Sequence, residues 1–233
     1  MNIVHQPENS RHVTVKRSSS ADVFDALYDQ ITSLELKPGE KVSIVEIAKQ
    51  FDVSRQPVRE AFIKLSNMGL LLVKPQSATI VRKISISEVA DARFIRKSIE
   101  IGIARKACAR WNSDYLADFQ RNLDEQRAAA NRGDLNHFRE LDSRFHQLLC
   151  TVAGHADVYS VIAENKAKVD RLCALSFTLH AETEAVYREH ADIVELLNKG
   201  EEEPLIRQID AHLSRLDGMI EEISKSHHEY FEA

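Results

Sequence analysis

The sequence is poor in the residues that interrupt helices and turn strands, with 7 glycines and 5 prolines among 233 residues. A sheet-rich fold of this length would use more of both, so a mostly helical protein is expected. Its three cysteines, Cys108, Cys150 and Cys173, are odd in number and widely spaced. That argues against a disulfide framework and for a reducing cytosol. No segment approaches the roughly 20 apolar residues that a membrane helix needs, and mean hydropathy is -0.33. The first 20 residues hold Ser, His and charge but no apolar stretch of the kind a signal peptide carries. A cytoplasmic protein is therefore expected. What the chain does have is 43% hydrophobic and 29% charged residues, enough for a packed core and too much for wholesale disorder.

The formal charge of -5 is unevenly spread. Residues 1–85 hold 12 of the 31 Lys and Arg and 9 of the 36 Asp and Glu, a net of +3. The remaining 19 and 27 give residues 86–233 a net of -8. A mildly basic front and an acidic back suggest two modules with different partners. Histidine is uneven too, since eight of the ten follow Gly133.

Residues 1–20 read as a flexible tail. From Ala21 the apolar spacing is helical, with Val23, Leu27, Ile31 and Leu34 on one face up to a turn at Lys37-Pro38-Gly39-Glu40. A short helix over 44–51 follows, and Asp52-Val53-Ser54 leads into a third helix N-capped by Ser54, with Pro57 in its first turn. After Gly69 the pattern becomes strand-like, Leu70 to Val73 and Ala78 to Val81 flanking a turn at 74–77. Three helices and a hairpin over 21–84 make a winged helix-turn-helix. On its third helix Arg55 and Arg59 share one face, away from Val58, Ala61, Phe62 and Leu65. Alone, such a pair is compatible with a solvated helix. Between a tight turn and a hairpin it points to a major-groove reader, where Arg pairs bidentately with guanine. Ser54, Gln56 and Lys64 are placed for phosphates and neighbouring edges.

This stretch resembles the DNA-binding domain of the GntR family of bacterial transcription regulators. The resemblance rests on Pro38-Gly39, on Val53-Ser54-Arg55-Gln56-Pro57-Val58-Arg59-Glu60-Ala61, and on Leu65 to Leu70 before the wing. It implies that Ser54, Arg55 and Arg59 face DNA. Two positions depart from the family pattern: Val45-Glu46 stands where many members are basic, and Ala78 where many have a wing-tip glycine. Without that glycine the backbone approaches a minor groove less closely.

From Ser85 onward strand signals are scarce. Helices are predicted near 86–110, 112–132, 134–153, 156–180, 183–199 and 201–227, an all-α bundle of six, with seven as the alternative count, over 85–230. Glu201-Glu202-Glu203 reads as a solvated helix start. Four polar residues sit where the stripes call for hydrophobes. Asp142 lies between Phe138 and Phe145, with His146 one turn on; His190 precedes Ile193, Val194 and Leu197; His212 lies between Ile209 and Leu216. A single inward His is usually a hydrogen-bonded core residue. An Asp and three His on three helices are better explained by a shared divalent metal, since an unpaired buried carboxylate is expensive.

This half resembles the FCD effector domain of the FadR subfamily, on Asp142-x-x-Phe145-His146 before Ala153-Gly154, on Glu189-His190-x-x-Ile193, and on His212-Leu213. Six helices favour the VanR-like branch. The resemblance implies a divalent metal on the four residues, zinc first with nickel or manganese as alternatives, and a small carboxylate effector completing its shell. His155 stands where family members often have Asn after Ala-Gly. Arg96, in the family's Arg-x-x-x-Glu pattern, is a candidate to face the ligand cavity, where a guanidinium suits a carboxylate. An Arg96–Glu100 pair on an exposed face is the equal alternative. Arg93 and Arg171 are further effector-binding candidates. Together these features imply a metabolite-responsive regulator, more often a repressor than an activator in this family, bound as a homodimer to an inverted-repeat DNA operator. The rival is a metal-dependent hydrolase with an accessory nucleic-acid-binding module; against it, no further inward Glu or His offers a general base.

Overall fold

The computed structural model describes residues 19–73, 78–175 and 179–232, without the side chains of 179–182. The first helix, α1, spans Ser20–Thr32. A capping box starts it: Ser19 Oγ accepts from Asp22 N–H at 3.1 Å and Ser19 N–H donates to the Asp22 carboxylate at 2.6 Å. The last two residues of the expected tail thus belong to the helix and its cap. Val23, Leu27 and Ile31 are buried along it. Leu34 is not the fourth member of that stripe. It lies past the helix end with φ at 64°, and packs against a cluster from the helical half.

A two-residue strand, β1 (Lys41–Val42), follows, then α2 (Ile44–Gln50) and α3 (Arg55–Asn67). Between these helices Asp52 takes a left-handed φ of 51°, a conformation that Asp tolerates better than most residues. Val53 N–H reaches back to Ala48 O at 3.0 Å, closing the end of α2 so that α3 starts at a sharp angle. Strands β2 (Leu71–Leu72) and β3 (Thr79–Val81) complete an antiparallel sheet ordered β1-β3-β2, with Val42 opposite Thr79 and Leu72 opposite Ile80. The turn expected at 74–77 lies outside the described residues. The strand β1 was not foreseen, because two residues carry no readable alternation.

Ser85 caps α4 (Ile86–Arg110), its hydroxyl accepting from Glu88 N–H. The bundle continues with α5 (Leu116–Arg132), α6 (Leu135–Val152), α7 (Tyr159–Cys173), α8 (Leu179–Lys199), α9 (Glu202–Ser214) and α10 (Ile220–Ser226). Among the described residues these are seven α-helices, the alternative count and not the six first expected. The predicted 201–227 helix breaks at 215–219, where Asp217 N–H bonds to Ser214 O and Met219 N–H to Leu216 O in tight turns around Gly218. Two starts shift to α5 and α7, each preceded by a short 3-10 turn at 113–115 and 156–158. The predicted 156–180 helix ends at Cys173, and α8 begins four residues before 183. Glu201 to Glu203 are exposed at the start of α9, as expected.

Helix α4 runs through the bundle against α7 and α9, while α5 packs on α6 and α8. Phe119, Phe145, Ile162, Ile193, Leu197 and Leu205 fill the centre. The halves are joined along α7, whose Ala167 is fully buried in the core of the front module beside Val23, Leu27 and Phe62. Arg82 adds contacts to Glu88 at 3.0 Å and Glu232 at 3.1 Å, and its carbonyl accepts from Arg171. Ile84 forms a parallel bridge with Phe231, through Ile84 N–H to Tyr230 O at 2.8 Å and Glu232 N–H to Ile84 O at 2.9 Å. Ala167→Leu should overpack this junction and destabilise the protein by about 1–3 kcal/mol, read as a lower urea midpoint against a control such as Ala163→Leu on the same helix.

Candidate metal centre and DNA-reading helix

On α3 the structure leaves Ser54, Arg55, Gln56, Arg59 and Lys64 exposed, while Val58, Ala61, Phe62 and Leu65 are buried. Ser54 occupies the cap position, yet its hydroxyl makes no capping hydrogen bond. Gln56 Nε2 donates to Glu60 at 3.1 Å. Lys64 stands apart from the arginines, its Nζ lying 5.8 Å from the centre of the Phe24 ring on α1. Sequence patterning did not single out Ile63, one turn beyond Arg59 and 59% exposed. It puts an apolar surface on the same face as the arginine. Ala78, at the expected wing tip, is exposed.

In the bundle, α6 brings Asp142 and His146, α8 brings His190 and α9 brings His212 to one point. One ligand atom from each lies within 4.8 Å of all the others. Nε2 of His190 is 3.6 Å and Nε2 of His146 is 4.0 Å from Asp142 Oδ1. Both nitrogens are buried without a hydrogen-bond partner. The opposite ring nitrogen is hydrogen-bonded in two of the histidines, His190 Nδ1 at 2.9 Å from Gln126 and His212 Nδ1 at 2.7 Å from Glu189, while His146 Nδ1 lies 2.5 Å from Glu100 outside hydrogen-bond geometry. Two imidazoles thus use Nδ1 for an outer hydrogen bond, and the bare Nε2 atoms of His146 and His190 face a carboxylate. A three-nitrogen, one-oxygen set of this kind suits zinc or nickel.

Electrostatics tie the cluster together. Lys166 is 2% exposed and places Nζ 2.9 Å from Asp142 Oδ2 and 2.7 Å from Asp170 Oδ2. Burial alone would push the Asp142 carboxyl up. Lys166 and the facing histidines overcome that and hold it well below its ordinary value. Burial also opposes the Lys166 charge, but its two aspartates reverse this and raise the ammonium. Glu100 is likewise penalised by burial, yet Arg96 and His146 bring it down to about 2. Burial lowers His190 and His212, which favours their neutral, metal-ready forms.

The three effector candidates separate. Arg96 lines a cavity beside Asp142, His146, Lys166, His212 and Arg215. It also donates to Glu100 at 2.8 Å, and that pair is buried, not on an exposed face. Arg93 and Arg171 are directed elsewhere. Arg93 pairs with Asp217 beyond α9, and Arg171 donates to Arg82 O at the junction. Lys166 and Arg215 line the cavity instead, and both also line a neighbouring pocket with Asp170, Leu135, Phe138 and Val186. Lys166 carries the same signal that exposed Asp142, a charge on an apolar stripe, here between Ile162 and Val169. Gln126 breaks the α5 stripe of Phe119, Leu123 and Ala130 in the same way. Among the described residues no helix is long and apolar enough to cross a membrane.

Residues 19–81 match the family model of bacterial regulatory proteins of the gntR family, and residues 91–215 match the FCD domain. The chain belongs to the GntR family. This GntR protein is 35% identical over 209 residues to the HTH-type transcriptional repressor RspR of Escherichia coli (strain K12), across 90% of this chain and 92% of that one. It is 31% identical over 216 residues to an uncharacterized HTH-type transcriptional regulator in an unstable DNA locus of Streptomyces ambofaciens, across 92% and 90%. E. coli McbR/YncC shares the fold, with a TM-score of 0.77 at 19% identity over 88% of this chain and 98% of that one. The family is one of transcription regulators, so the hydrolase alternative falls away. Within this regulator, Lys166→Met should leave the part-buried Asp142 and Asp170 with uncompensated charge and cost about 3 kcal/mol, measured by urea unfolding in the presence of chelator.

Proposed function

We propose that this GntR regulator is a repressor that binds an inverted-repeat operator as a homodimer and responds to a small carboxylate at a divalent metal centre. The observation that carries the reading is the pair of buried, partnerless Nε2 atoms of His146 and His190 aimed at an ionised Asp142. Lone pairs set against a carboxylate in a dry interior are unfavourable unless a cation lies between them. Asp142, His146, His190 and His212 would hold that cation, zinc first, with nickel and manganese the alternatives. A bound divalent ion would supply a Lewis-acidic point for one carboxylate oxygen. Arg96 and Lys166 flank the same cavity and would orient that carboxylate through charged hydrogen bonds. Arg93 and Arg171 are left out of the effector site, since their guanidiniums are engaged at the bundle edge and the junction.

The reading of DNA falls to Arg55 and Arg59, with Ser54 and Gln56 near the phosphates and Lys64 at the flank. We divide the chain into a winged domain ending at about residue 84 and a sensing domain from 85 to 230. Helix α7 joins them, because Lys166 contacts the Asp142 carboxylate while Ala167 packs in the front module. An effector that prefers one arrangement of α7 would shift operator affinity by that preference. That the relative RspR is named a repressor supports the sign of control.

Arg55→Ala and Arg59→Ala should each weaken specific operator binding by roughly 1–3 kcal/mol at fixed salt with the melting temperature unchanged. Unaltered affinity in the double variant would remove α3 as the reader. Light scattering at micromolar concentration should give a dimer mass without DNA, because one winged domain makes too few base contacts for tight specific binding. Elemental analysis of protein purified without chelator should find about one divalent ion per chain. His190→Ala should lose that ion and keep basal operator binding; a wild-type chain with no metal, and no thermal shift on adding zinc or nickel, would refute the centre.

A further inference from the structure

Resting on the reading of Asp142, His146, His190 and His212 as a metal centre, we infer that Gln126 and Asn122 of α5 are positioning residues. They form a polarised hydrogen-bond chain that locks His190 in the tautomer whose bare Nε2 faces the metal position. The chain begins at a group whose polarity is beyond doubt. Leu141 O on α6 is a backbone carbonyl, so it can only accept, and Asn122 Nδ2 donates to it at 3.0 Å. The other end of the Asn122 amide is then its oxygen, which accepts from Gln126 Nε2 at 2.7 Å. The remaining end of Gln126 is in turn an oxygen, and it lies 2.9 Å from His190 Nδ1. A carbonyl oxygen there requires Nδ1 to carry the hydrogen. Reversing either amide would set two donors or two acceptors face to face at one link or another, in a region where Asn122, Gln126 and His190 are all buried.

A neutral imidazole has one N–H, so Nε2 is left with its lone pair, 3.6 Å from Asp142 Oδ1. Phe145 stacks on the ring at 3.9 Å and 12°, which prevents it from swinging away. His212 is held at the same ring atom by the carboxylate of Glu189, and Nδ1 of His146 has the Glu100 carboxylate beside it at 2.5 Å. His190 alone of the three is held by a neutral amide, whose direction depends on a second residue and on the backbone of another helix. Helix α5 supplies no ligand to the cluster, yet it decides where one ligand's lone pair points.

Zinc affinity by chelator competition, with melting temperature and basal operator binding as controls, tests the role. Gln126→Met keeps the volume and removes the acceptor, and should weaken zinc binding about 10–100-fold. Gln126→Glu retains an acceptor oxygen for Nδ1–H and, as the protonated acid, a donor to Asn122 Oδ1, and should recover most of that loss. A purely packing role predicts the reverse order, because Glu buries a carboxyl where Met buries none. Equal zinc affinity in wild type and Gln126→Met, or Gln126→Glu no better than Gln126→Met, would overturn the assignment. Histidine-ring nitrogen NMR of the metal-free wild type checks the tautomer without any substitution. His190 should be protonated at Nδ1, and protonation at Nε2 would overturn the chain even if zinc binds. A wild-type protein that takes up no zinc would instead overturn the metal centre, and the positioning role with it.

Discussion

A lysine ammonium sealed inside a helical bundle is tolerable only where carboxylates surround it, and Lys166 organises this molecule accordingly. Asp142 from α6 and Asp170 from its own helix clasp it at hydrogen-bond distance. The clasp keeps Asp142 ionised against the cost of burial and leaves its second oxygen facing the histidines. It also fixes the rotation of α7, so that Ala167, the next residue, enters the core of the winged module. One ion triad thereby prepares the cluster and joins it to the half that reads DNA.

Charge around the cluster is arranged in layers. Nearest the centre is one carboxylate and three imidazoles, of which His190 and His212 are held towards their neutral forms by burial. Outside them stand Glu100 and Glu189, and beyond Glu100 the guanidinium of Arg96. Arg96 offsets Glu100, and Lys166 offsets Asp142 and Asp170, while the imidazoles stand between these carboxylates. Arg96 and Lys166 line the wall of the cavity beside this cluster.

Much of this was legible in the sequence, for reasons that differ by region. The winged module was read from the spacing of Val23, Leu27 and Ile31 and from the Ser54 to Ala61 segment, because local capping and turn chemistry decide it. Asp142, His146, His190 and His212 were found because each interrupts an apolar stripe. Lys166 and Gln126 interrupt stripes too, but neither is a habitual metal ligand and both passed unnoticed. The destinations of Arg93 and Arg171 were not readable, since their partners Asp217 and Arg82 O lie far away in sequence and on other elements. The break between α9 and α10 was missed because Gly218 is a weak signal without the surrounding turns.

The bridge between Ile84 and Phe231 bears on how the molecule is assembled. Arg82 and Glu232 are 150 residues apart in the chain, yet they meet beside the segment that joins the two halves. The winged module, built mostly from contacts within its own 60 or so residues and completed by Ala167 of α7, can begin to fold as it leaves the ribosome. Its orientation cannot be set until residues 230–232 have been made and have found Ile84. The winged module thus completes its seat on the bundle only with this late-made segment, and a nascent chain that has already folded its third helix is not yet a complete regulator.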